Sequence, residues 1–152
     1  MIIGIDPGLS GGMAVIEDDG TYVSAEQFGG DSDFAARLRA MNNGDYYAVV
    51  EKVHSMPGQG VASSFTFGRN VGFIHGALTA LGIPWEAIAP QAWQRTLRVG
   101  KRGKDESKNA FKKMLLEAAR KMFPQAGGAV TLKTCDALLL AEAYRRIRAG
   151  KA

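Results

Sequence analysis

"MIIGIDPGLSGG" (residues 1–12) runs from strand-forming apolar residues directly onto a carboxylate, Asp6, which Pro7 and a glycine-rich turn follow at once. In open α/β sheets the reacting groups gather beyond the carboxyl ends of strands, where short turns expose side chains on a rigid platform. Asp6 occupies such a position. A second acid, Glu51, ends the run "YYAVV" (residues 46–50), which is apolar enough to be a central strand. A third, Asp136, stands near the start of a helical pattern in which Ala137, Leu140, Ala141 and Tyr144 recur at core spacing. Carboxylates ending neighbouring buried strands repel one another and lose hydration, and a divalent cation is the simplest neutralising partner. Three such acids, each bordering apolar sequence, suit a hard metal with oxygen ligands. Each also has an ordinary reading: Asp6 as a turn starter, Glu51 as a solvated strand end, Asp136 as an acid favoured by a helix N-terminus.

The bulk properties narrow the classes. With 152 residues, 46% of them hydrophobic, the chain supports one core, so a single domain over 1–152 is expected. A lone cysteine, Cys135, excludes an internal disulfide and a cysteine-rich zinc site, and fits a reducing cytoplasm. Neither a leader pattern nor an apolar run near the roughly 18 residues of a membrane span is present, so no membrane partner is expected. Nineteen Lys and Arg against 15 Asp and Glu give a net +4, which favours polyanionic partners.

Read for elements, residues 1–6, 12–17 and 21–28 form three strands in a row, with "DDG" as the hairpin signal between the last two. Residues 31–42 carry Phe34, Leu38 and Met41 at helical spacing, and 46–53 is the next strand. After a Pro/Gly loop at 54–60, residues 61–82 suit a helix in which Gly68, Gly72 and Gly76 share a face. A short strand at 83–90 ends on Pro90, where "PQAW" starts a helical turn. The basic stretch 98–104 separates this from helices at about 105–123 and 131–149. The order is β-β-β-α-β-α-β-α-α, an α/β fold.

That order, with "IIGIDPGLSGG", "VVEKVHSMPGQG", "SSFTFGRNVGFIHGAL", "GIPWEAIAPQAW" and "CDALLLAEAYRR" in sequence, resembles the RuvC family of Holliday junction resolvases, especially the short versions of bacteriophages and some bacteria. The resemblance implies a ribonuclease H-like fold, with a five-stranded mixed sheet and helices on both faces. It also implies a dimeric, magnesium-dependent endonuclease of DNA recombination and repair, cytoplasmic in a bacterial cell, that makes paired symmetric nicks in four-way DNA junctions. Manganese should substitute for magnesium, at two ions per active site, and no small-molecule substrate or organic cofactor is expected. Carried over by position, it assigns metal ligation to Asp6, Glu51 and Asp136. The chain departs from the family three positions before Asp136, where Lys133 replaces a further acid or histidine; this lysine either stands near the scissile phosphate as a catalytic cation, or leaves the fourth ligand to another residue, or lowers activity. Glu142, six residues on, falls well off the Asp136 face.

Two segments are candidates for DNA contact. Lys101, Arg102, Lys104 and Lys108, joined by Arg98, would make a phosphate-contacting stripe, or else a solvated basic loop. In "SSFTFGRN", either Phe65 or Phe67 is available for stacking on an unpaired base, with Arg69 nearby; in related resolvases an aromatic here stacks at the junction centre. The glycine face at 68, 72 and 76 permits close helix approach, within the fold or across a two-fold axis. Trp85 and Trp93 are simplest as core, and His54 and His75 carry no assignment. Two other classes compete: a junction-binding protein with reduced or lost cleavage, and an actin-like or sugar-kinase-like ATP-binding domain, whose nucleotide clamp needs two domains.

Overall fold

The computed structural model describes residues 1–8, 10–41, 44–53, 60–100, 102–103 and 106–150. Five strands, β1 (Ile2–Ile5), β2 (Gly12–Ile16), β3 (Tyr22–Gln27), β4 (Tyr47–Glu51) and β5 (Trp85–Ile88), form one sheet in the order β3-β2-β1-β4-β5. The first three make the expected antiparallel meander, and β4 and β5 add in parallel to β1 and to one another. The hairpin at "DDG" closes with Gly20 at φ 98°, a left-handed conformation that glycine adopts without steric cost.

Alternation along the central strands divides the interior into two cores. Ile3 and Ile5 of β1, Met13 and Val15 of β2, and Ala48 and Val50 of β4 meet Phe34 and Leu38 of α1 (Asp31–Met41) and Ile74 and Leu78 of α2 (Val61–Ala80). On the other face, Ile2, Ala14, Ile16 and Val49 pack with α3 (Pro90–Leu97), α4 (Lys108–Met122) and α5 (Cys135–Arg148). Helices thus cover both faces, as expected. The innermost is α5, where every residue from Cys135 to Tyr144 except Asp136 is buried.

Gly4 explains how closely α5 lies on the sheet. A Cβ at Gly4 would come within 2.0 Å of the Ala137 carbonyl oxygen and 2.9 Å of the Ala141 nitrogen, so the helix rests on β1 backbone where any side chain would hold it off. Gly11 performs a similar service for the turn after β1, where a Cβ would sit 2.1 Å from the Asp6 carbonyl oxygen.

Several boundaries differ from the sequence reading. The turn at Pro90 extends to an eight-residue helix, which stops where Arg98 takes a left-handed φ of 56°. The fourth helix starts at Lys108 because the Ser107 side chain accepts the Ala110 N–H, an N-cap that sets its first turn. The last begins at Cys135, after a turn in which Thr134 Oγ1 accepts the Thr131 N–H and donates to the Ala129 carbonyl. A 3₁₀ segment, Pro124–Ala129, joins α4 to that turn. No helix among the described residues is long and apolar enough to cross a membrane.

Gly4→Ala is expected to cost about 3 kcal/mol in urea unfolding, because backbone rather than a yielding side chain occupies the space. Gly68→Ala, at a helical position with nothing within 4 Å, should leave monomer stability unchanged or raise it by up to about 1 kcal/mol.

Candidate active site

The parity of the strands decides where the acids go. Ile2, Gly4 and Asp6 alternate to the α5 face, as do Val49 and Glu51. The parallel register pairs Ile5 with Val50, so Asp6 and Glu51 leave the sheet side by side on neighbouring strands, whose backbones lie about 4.8 Å apart. Above them, contact between Gly4 and Ala137 brings the first turn of α5 down, and with it Asp136. The structure therefore brings together all three acids that the sequence singles out.

Electrostatic coupling reports their proximity. Burial raises the pKa of Asp6, and the Asp136 charge raises it further, against a Gly8 N–H donated to Asp6 Oδ1 at 3.0 Å. Glu51 is pushed up to about 7, first by burial and then by the charge of Asp6, despite an indole N–H from Trp93 to its Oε1 at 2.9 Å. Trp93 belongs to the core, as expected, and in addition orients this carboxylate. No sequence pattern pointed to that second role, because α3 had to be in place before the indole could be seen to face β4.

Lys112 is the other residue that sequence reasoning missed. It projects from α4 and donates to Asp136 Oδ2, and Cys135 Sγ lies 3.4 Å from Asp136 Oδ1. Burial alone would lower the lysine pKa, but the Asp136 carboxylate outweighs it and holds the ammonium charged. Burial pushes the Cys135 thiol up to about 12, which leaves it a neutral neighbour and no thiolate ligand. Among the described residues, Gly8 is the one hydrogen-bond partner of the Asp6 carboxylate and Trp93 that of Glu51. Asp6 Oδ2 and Glu51 Oε2 thus have no hydrogen-bond partner among the described residues.

Lys133 is placed differently from a cation at the carboxylates: it is exposed, and its Nζ donates to Gln27 Oε1 on β3 at 2.7 Å. Glu142 is buried at a distance from the site, bound by Arg145 and Arg146, in keeping with its predicted helix phase. Leu132 lies between two grooves, one lined by Gln27, Thr131 and Lys133, the other by Asn109, Lys112 and Lys113.

Of the basic stripe, Arg98, Arg102 and Lys108 are exposed; Lys108 precedes Lys112 by four residues and so shares its face of α4. Lys101, Lys104 and His54 lie outside the described residues. On α2, Phe65 is 73% exposed, Phe67 is half-buried and Arg69 is paired with Asp31 at 2.7 Å. Asn70 ties this helix to the site by donating to the Pro7 carbonyl at 2.7 Å. Among the described residues nothing lies within 4 Å of a Cβ built at Gly68, Gly72 or Gly76, so none of those residues packs on their face.

The donor set suits a hard divalent cation, being all oxygen, crowded with negative charge and partly open. Among the described residues no three His, Cys, Asp or Glu side chains already stand as a closed ligand group, and Asp136 is paired with Lys112.

No protein-family model matches the chain, and no curated protein matches its sequence. Its fold has counterparts among solved structures. T. thermophilus RuvC in complex with Holliday junction substrate aligns over 99% of this chain and 96% of its own, with a TM-score of 0.70 at 19% identity. A second Thermus thermophilus RuvC structure aligns over 99% and 97%, with a TM-score of 0.61 at 18% identity. The chain has a RuvC-like, ribonuclease H-like fold.

A carboxyl group whose folded pKa is raised favours the fold below its unfolded pKa, and loses that contribution as pH climbs through the folded value. For Glu51 the window runs from 4.5 to about 7. In chelator-treated protein, Glu51→Gln should therefore be more stable than wild type at pH 8, by about 3 kcal/mol, and the gap should close toward pH 4.5. Urea unfolding of both proteins across that range measures it.

Proposed function

We propose that the chain is a Holliday junction resolvase, a divalent-metal-dependent endonuclease of four-way DNA. The observation that carries this reading is the convergence of Asp6, Glu51 and Asp136 at the carboxyl end of a RuvC-like sheet. A relative of the same fold is described in complex with a Holliday junction substrate. Magnesium is the expected ion, with manganese as a substitute, and the reaction would serve recombination and repair in the bacterial cytoplasm.

Asp6 and Glu51 would hold the ion through the oxygens they leave open, and Asp136 would close the site from α5. A divalent ion held there would supply charge for the phosphate and would lower the pKa of a water it bound. The chain's own groups do the rest. Gly8 N–H and Trp93 Nε1–H fix the two strand-end carboxylates in orientation, so little reorganisation is left for the moment of reaction. In the hydrolysis the water oxygen bonds to phosphorus as the bond to the 3′-oxygen breaks, leaving a 5′-phosphate and a 3′-hydroxyl. Lys108, Lys112 and Lys113 offer positive charge on the α4 side for the strand being cut, and Arg102 extends it.

Symmetric cutting needs two sites related by a two-fold axis, which a homodimer provides through a self-complementary interface. The first half of α2 suits it: Val61 is 88% exposed, Phe65 is 73% exposed, and Gly68, Gly72 and Gly76 leave backbone open to close approach. Phe65, more exposed than Phe67, would be the aromatic that stacks on an unpaired base. The lysine at position 133 and the engaged Asp136 favour one competing reading, a protein that binds junctions without cutting them.

On a synthetic four-way junction in magnesium, Asp6→Asn should lower the cutting rate at least 100-fold and keep binding, since a ligand charge is lost with little change in volume. Normal cutting by this variant would overturn the site, and uncut junctions bound by wild type would leave the binding-only reading. Replacing Arg102 and Lys108 with alanine should reduce the slope of log affinity against log salt by about 0.9 for every phosphate that the variant no longer neutralises. Sedimentation should show a wild-type dimer that Gly72→Leu converts to monomer with unchanged thermal stability; a wild-type monomer, with and without junction, would overturn paired nicking.

A further inference from the structure

We propose that the Lys112 ammonium is a built-in cation of the carboxylate site, standing in for a second metal ion, so that each chain takes one divalent ion rather than two. The inference rests on the nuclease reading of the site and changes its ion count. Four observations on the residues converge on it.

The first is where the open oxygens are. Asp6 Oδ2 and Glu51 Oε2 emerge side by side from adjacent parallel strands and have no hydrogen-bond partner among the described residues, which makes one seat between β1 and β4. The second is that Asp136 is already engaged on both oxygens, by Lys112 on Oδ2 and by the Cys135 thiol on Oδ1. A second ion, between Asp6 and Asp136, would have to displace the ammonium.

The third observation concerns Lys133. A two-ion site gains from a further acid on the first turn of α5 or just before it, and here the corresponding residue is a lysine turned to Gln27. The side of the site that lacks an acid is the side on which Lys112 supplies a positive charge. The fourth is the charge balance. With an ion bound the three carboxylates would be ionised, and with the one ammonium they would sum to −2, which a single divalent ion balances before the phosphate arrives.

Lys112 is held for this role. Its helix is anchored by the Ser107 cap one turn earlier and by Leu115 and Ala119 in the core, and its side chain is only 32% exposed. An ammonium fixed there gives a non-bridging phosphate oxygen or the departing 3′-oxygen a hydrogen bond and a full charge, without an ion having to be recruited. It cannot carry an activated water, so the attacking water belongs to the Asp6–Glu51 side.

The test counts ions on the full chain without DNA. Manganese binding, followed by the electron paramagnetic resonance of the free ion and by calorimetry, should give one Mn²⁺ per chain for wild type and for Lys112→Arg. Lys112→Met and Lys112→Gln, each checked for native circular dichroism, should take two, and their junction cutting should change from first-order to second-order dependence on magnesium. Two ions in wild type would overturn the inference and leave the nuclease reading standing. One ion in both neutral variants would also overturn it, since the ammonium would then exclude nothing. No binding in wild type, together with no cutting, would overturn the nuclease reading itself.

Discussion

The in-register parallel pairing of β1 with β4 is the constraint on which the rest of the molecule depends. Ile5 opposite Val50 puts Asp6 beside Glu51, and strand alternation turns both to the face that α5 covers. A slip of one residue would send one acid to the opposite face, among Phe34, Ile74 and Leu78. The register is held because the same alternation buries Ile3, Ile5, Ala48 and Val50 on that opposite side. Packing specificity and site geometry are thus one property of two short strands.

Two carboxylates so placed work against the fold. Burial and mutual repulsion drive both toward the neutral form, Glu51 as far as about 7. The surroundings offset this only in part, with one N–H to each acid and one ammonium shared across the cluster. A pair so poorly neutralised suits the bound cation of the proposed function. Gly4 has the matching role in shape: by carrying no side chain it lets α5 close over β1 and bring Asp136 within range.

Most of this architecture was legible in the residues. Apolar runs ending on Asp6 and Glu51 marked two buried strands and their acidic ends, and "DDG" marked the hairpin. Helical spacing in "CDALLLAEAYRR" placed Asp136 at the start of a core helix. Helix starts were less legible, since Ser107 caps α4 through a side chain whose partner lies three residues on, and Thr134 bonds back into the turn before α5 rather than into the helix. Lys112 was invisible for a different reason. In "FKKMLLEAARK" it reads as one of many surface cations on an amphipathic helix, and only the crossing of α4 over α5 singles it out. Trp93 was correctly placed in the core, but its N–H to Glu51 depends on α3 being a full helix. The departure at Lys133 was visible in the sequence, whereas its contact with Gln27 on β3 was not.

The central claim is that Asp6 and Glu51, brought together by the β1–β4 register, form the ion seat of a nuclease. Anomalous diffraction from crystals of the chain soaked in manganese tests it most directly. The account predicts a peak bonded to Asp6 Oδ2 and Glu51 Oε2 at the carboxyl ends of the two strands. Manganese bound only elsewhere on a protein that still cuts four-way junctions would contradict it.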